Sequence, residues 1–180
     1  MIDLPTARAC VAHLAAGLDV TVIEPDDAAK YLDGAAGLLS LIPGVGPLIA
    51  QARAPIADAQ ERVSVTLPTP WGTAILLSRS AVVDGPSLLS VALHEFCHCR
   101  TIADVGALQS VTDYLGSGEL RAFREADASG VGMWARYVVT GTLPAVDDAS
   151  VLRSALYHLD APDKLFARAV VSSLVASAEV

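Results

Sequence analysis

Basic residues are scarce in this 180-residue chain: two lysines and ten scattered arginines stand against twenty acids, for a formal charge of -8. A surface that tracks phosphates needs clustered Lys and Arg, so nucleic-acid binding through a basic patch is excluded. Cysteine is almost absent. Cys10, Cys97 and Cys99 are odd in number, and the last two stand only two positions apart. They form no disulfide framework and fit a reducing, cytoplasmic compartment. Aromatic residues reach 5% and charged residues 18%, while hydrophobic residues make up 53%, which excludes a disordered chain. The N-terminus carries Asp3 and a helical rhythm instead of a basic start and a long apolar run, so no secretory signal is expected.

Long uninterrupted apolar runs are also missing. The nearest approach is the uncharged stretch from Ala35 to Ala52, but Pro43-Gly-Val-Gly-Pro47 sits in its middle and breaks any continuous helix. No transmembrane span is expected there. The stretch over 34–52 reads either as a buried hairpin or loop against the core, or as an apolar patch that faces a membrane or a protein partner. With no internal repeat and no low-complexity linker, residues 1–180 are expected to form one domain, with an Ala-rich subregion over 1–62 and a second over 63–180.

Pro5–Ala16 has the composition of a helix, with Thr6 as an early cap and Gly17 as a stop. Leu18–Glu24 alternates weakly as a short strand, and Asp26–Leu32 opens with acids that suit a helix N-terminus. A further short helix is expected over Ala54–Glu61. Val63–Leu67 and Thr73–Ser78 are the best strand signals, and the prolines at 68 and 70 place them at a sheet edge. From Pro86 onward the pattern is helical: about Ser87–Ala103, Gly118–Ala128, Val131–Val139, Ala149–Leu159 and Pro162–Ala178. The fold class that follows is α+β, mostly helical with a small sheet.

The chemistry concentrates in His94-Glu95-Phe96-Cys97-His98, which holds half of the chain's four histidines. Positions four apart on a helix stand one turn above each other, so His94 and His98 can offer imidazole nitrogens to one ion at about 2.0–2.1 Å. Glu95 is displaced by about 100°, which frees it from ligation and places it beside the ion as a general base. Cys97 and Cys99 lie off that face and read as small buried hydrophobes. His13 and His158 have no local support as ligands.

This HExxH segment resembles the zincin metallopeptidases, over about residues 73–128. The resemblance implies a zinc ion on His94 and His98, with Glu95 as the catalytic glutamate of peptide or protein amide hydrolysis by a metal-activated water. It also implies that the strand before the helix, Thr73–Ser78, is a sheet edge that aligns the peptide substrate. A third ligand is needed. Glu119, with the small Ala122 three positions later, is similar to the glutamate helix of the gluzincin branch and is the leading candidate. Glu125 lies about 600° further round the same helix, so both acids cannot face one ion. Asp104 occupies the third-ligand position of the metzincin branch, although Thr101 stands where that branch has glycine. The oxyanion donor stays open among Tyr114, Tyr137, Arg153 and His158, and Trp71 is a candidate cleft residue. A non-catalytic metal-binding or protein-interaction module is the alternative function.

Overall fold

Asp3 and Asp84 begin two of the helices by accepting hydrogen bonds from the backbone N–H three residues on, at 2.9 Å from Thr6 and 2.7 Å from Ser87. The computed structural model describes residues 1–39, 62–69, 72–149, 152 and 159–178. The first helix, α1 (Leu4–Leu18), therefore starts at Asp3 instead of Thr6, and it ends at Asp19 in the left-handed region (φ 54°). Strand β1 (Val20–Ile23) and helix α2 (Pro25–Leu39) follow. Strands β2 (Val65–Thr69) and β3 (Gly72–Leu76) pair antiparallel, with Val65 opposite Leu76 and Thr69 opposite Gly72. β1 runs parallel to β3, with Val20 opposite Thr73.

The strand order β1-β3-β2 corrects one expectation. β3, which precedes the histidine helix, is the centre of the sheet and not its edge. Its residues explain this: Ala74, Ile75 and Leu76 are all buried, an apolar run suited to a strand covered on both faces. β2 contains Pro68, which lacks a donor and is tolerated at an edge, and no strand lies beyond it among the described residues.

Four further α-helices and two short 3-10 turns, Ala81–Val83 and Val146–Asp148, complete the described chain. The helices are α3 (Gly85–Val105), α4 (Ala107–Gly116), α5 (Gly118–Thr140) and α6 (Ala161–Ala178). Gly106, at φ 86°, turns the chain between α3 and α4. α4 was not anticipated from sequence. The two helices expected on either side of Gly130 are one continuous helix, because a single glycine costs only about 1 kcal/mol in a helix whose face is buried. α6 packs close at Gly130, where a Cβ would stand 2.4 Å from Cδ1 and 3.2 Å from Cβ of Leu174. The expected helix at Ala54–Glu61, most of the 34–52 stretch, and most of Ala149–Leu159 lie outside the described residues.

Two buried clusters flank the histidine helix. One joins Ala7, Val11 and Ala15 of α1 to Ile75 and Leu77 of the sheet and Leu88, Ala92 and Phe96 of α3. The Ala-rich first block thus shares a core with the segment that carries the motif. The second joins Ala122, Ala126 and Met133 of α5 to Ala167 and Val171 of α6. The result is an α+β fold, mostly helical with a small mixed sheet, and the α3–α5 contact lies between its two cores. No helix among the described residues is long and apolar enough to cross a membrane.

Candidate metal centre

α3 presents His94 and His98 one turn apart, as the spacing requires. Their Nε2 atoms face each other at 3.2 Å, and the ring planes stand at 77°. The acid that joins them is Glu125 of α5. Its Oε2 lies 3.5 Å from Nε2 of His94, and its Oε1 lies 3.5 Å from Nε2 of His98. One ligand atom from each of the three residues lies within 4.8 Å of the others.

Glu119, the expected third member, is not brought to this place. It stands exposed in the first turn of α5, next to the Ser117 cap. The face of the helix explains the difference. Ala122, expected to let α5 approach the histidine helix, packs instead in the cluster shared with α6. The close approach to α3 is made by Gly132, where a Cβ would be 2.8 Å from the Ser90 carbonyl oxygen and 3.5 Å from Cβ of His94. Glu125 precedes Gly132 by seven residues, two helical turns, and so shares its face. Asp104 is also outside the group: it is exposed near the end of α3, 3.8 Å from Arg100. His13 is exposed, Cys97 is half-buried and Cys99 is buried, and none joins the cluster. Trp71, Arg153 and His158 lie outside the described residues.

The cluster is electrically tight. Burial pushes the Glu125 carboxyl up, but the His94 and His98 imidazoles beside it and their charge outweigh it and hold the group well below the usual carboxylate range. Burial pulls His98 down, yet its hydrogen bond and attraction to Glu125 prevail and raise it above its ordinary value.

The donor set also fits a divalent metal. Two ligands about 2.0–2.1 Å from a tetrahedral ion stand about 3.3 Å apart, close to the 3.2 and 3.5 Å seen between these side chains. Two imidazoles and a carboxylate are a donor set that zinc accepts. Glu125 Oε2 supplies a further sign: it is buried and, among the described residues, makes no hydrogen bond, with Nε2 of His94 3.5 Å away. A buried acceptor left in that condition costs about 1–3 kcal/mol, which an ion at the cluster would offset.

Two neighbours of the cluster were not assigned from sequence. Thr66, on edge strand β2, donates its hydroxyl to Oε2 of Glu95 at 2.7 Å, so the carboxylate next to the first histidine is pinned to the sheet. Tyr114, expected among the open oxyanion candidates, donates to Oε1 of Glu125 at 2.9 Å. Neither partnership has a local sequence signal, because each joins separate elements. No family model matches the chain, and no curated protein and no solved structure matches it.

Proposed function

We propose that the chain is a zinc-dependent hydrolase of peptide or protein amide bonds, with the ion on His94, His98 and Glu125 and Glu95 as the general base. The observation that carries this reading is the convergence of two imidazoles with a buried carboxylate oxygen that, among the described residues, makes no hydrogen bond. An ion bound there supplies Lewis-acid polarisation of a substrate carbonyl and of the attacking water.

The chain's own residues supply the rest. Glu95 neighbours His94 in sequence and points toward β2, where the Thr66 hydroxyl fixes its orientation. A carboxylate so held can take a proton from water and return it to a leaving amine. Among the described residues no strand pairs with the outer side of β2, where an extended peptide would pair, and Thr66 links that strand to the base. The substrate-aligning role expected of the strand before α3 therefore passes to β2.

Glu95 is 5% exposed, and this degree of burial also suits a metal-binding structural or interaction module. Native mass spectrometry of metal content, paired with a peptide-library cleavage screen, separates the two. The hydrolase reading expects one zinc per chain, cleavage by wild type, and a Glu95→Gln variant that keeps its zinc and loses turnover. Zinc binding with no cleavage in either protein supports the module, and no bound zinc refutes both.

A further inference from the structure

We propose that Tyr114 is a positioning residue for the metal centre. Its hydroxyl engages Oε1 of Glu125 and so presents Oε2 to the ion shared with His94 and His98. This rests on the metal-centre reading above and adds the device that selects one carboxylate oxygen.

The argument begins with α4. Among the described residues it contributes to neither buried cluster, and it leaves Leu108 83% and Val111 41% exposed. Apolar burial therefore does little to hold this helix. Polar bonds from α5 hold it instead. Arg121 donates to the Tyr114 carbonyl at 2.7 Å, and Arg124 donates to Asp113 at 2.7 Å and to the Ser110 carbonyl at 3.1 Å. The Arg124–Asp113 pair is largely withdrawn from solvent, at 12% and 21% side-chain exposure, where a charge-assisted bond is firmer than on an open surface.

These arginines adjoin Glu125 on one stretch of α5, and the Tyr114 hydroxyl closes the set on Glu125 itself. A free carboxylate can turn about its last bonds and exchange its two oxygens. One hydrogen bond to Oε1 removes that equivalence, and Oε2 is the buried oxygen that, among the described residues, makes no hydrogen bond and faces His94. Partners that orient a ligand in this way sustain metal affinity, and their loss typically weakens it about 10–100-fold.

The test compares full-length wild type with Tyr114→Phe, Glu125→Ala and Val11→Ala. The readouts are zinc dissociation constants, by competition with a chromophoric chelator, and absorption spectra of the cobalt(II)-loaded proteins. Tyr114→Phe keeps the ring beside Arg121, 5.7 Å from its guanidinium carbon, and removes only the hydroxyl. It is expected to raise the zinc Kd by about 10–100-fold and to alter the cobalt bands. Val11→Ala, a change in the core under α1, is expected to leave both readouts at wild-type values although it lowers stability. A Tyr114→Phe affinity within twofold of wild type overturns the proposal, as does equal weakening by Val11→Ala. Failure of the metal centre itself looks different: wild type and Glu125→Ala then bind zinc equally poorly, and the role of Tyr114 falls with it.

Discussion

Gly132→Ala tests whether contact between α3 and α5 sets the geometry of the cluster. In most helix interiors this substitution stabilises, because alanine is favoured over glycine by about 0.8–1.0 kcal/mol. At Gly132 the added Cβ would meet the Ser90 carbonyl oxygen at 2.8 Å and the Ser90 hydroxyl at 3.3 Å. The first is backbone of a packed helix and cannot swing aside, so the helices must separate, at about 1–3 kcal/mol. Separation also strains the bond from the Ser90 hydroxyl to the Gly132 carbonyl, now 2.8 Å, which contributes about 0.5–1.5 kcal/mol. The expected balance is a loss of about 1–3 kcal/mol. Gly34 in α2 is the control: it is exposed, and among the described residues a Cβ there meets nothing within 4 Å. Gly34→Ala should therefore gain about 0.5–1 kcal/mol. Urea denaturation of the metal-free proteins reads both values. Ser90 stands one turn before His94 on α3, so Gly132→Ala should also weaken zinc binding. If Gly132→Ala is as stabilising as Gly34→Ala, helix contact does not control the site and the packing argument is wrong.

Three other outcomes follow from the site. Glu125→Ala should weaken zinc binding by at least ~100-fold, more than loss of a supporting partner would, whereas Glu119→Ala should stay within twofold of wild type by calorimetry; the reverse order would restore Glu119. Burial, with the charge of Asp127, pushes the Cys97 thiol up to about 11, and burial pushes Cys99 to about 12, so both are protonated at neutral pH. Peptide mapping after brief iodoacetamide treatment should find exposed Cys10 labelled first, and rapid labelling of Cys99 would contradict its burial. The third outcome concerns pH. Glu125 is held below its ordinary 4.5, so its contribution is present above 4.5 and is lost as pH falls through its folded value. His98 is raised above 6.5, so its contribution is complete below 6.5 and is lost as pH rises through its folded value. The metal-free protein should gain most from the cluster between pH 4.5 and 6.5, measured as a urea midpoint. Zinc should reverse the alkaline decline, and a metal-free midpoint that rises steadily toward pH 9 would refute the assignment.

What could be read from sequence was what depends on nearby residues. The His94/His98 pair follows from helical spacing alone, and the boundaries of β1, β3 and α6 follow from local pattern and breakers to within a few residues. The third acid did not, because it depends on which face of α5 meets α3. Ala122 suggested Glu119, yet both cores contain small residues, and only the contact with Ser90 distinguishes the face marked by Gly132. The sequence nonetheless held a usable sign: Glu125 and Gly132 are seven apart, a spacing that places an acid and a close-approach residue on one line. α4 escaped notice for a related reason. Its anchors are arginines on the following helix, and cross-helix polar bonds leave no periodic trace within the segment they hold.

The resulting site has separate supports for separate tasks. Thr66, on the sheet, orients Glu95; Tyr114, on α4, orients Glu125; Gly132 sets how closely α3 and α5 approach. His94 and His98 need no such partner to reach one another, since the helix itself places them. A perturbation at one support should therefore leave the others in place. Loss of the Thr66 hydroxyl should free the Glu95 carboxylate, the proposed base, while His94, His98 and Glu125 stay together, and loss of the Tyr114 hydroxyl should loosen Glu125, the proposed ligand, while Glu95 stays pinned. If the proposed hydrolase reading holds, substitutions at Thr66 and at Tyr114 should therefore separate, the first lowering turnover at unchanged zinc affinity and the second lowering zinc affinity.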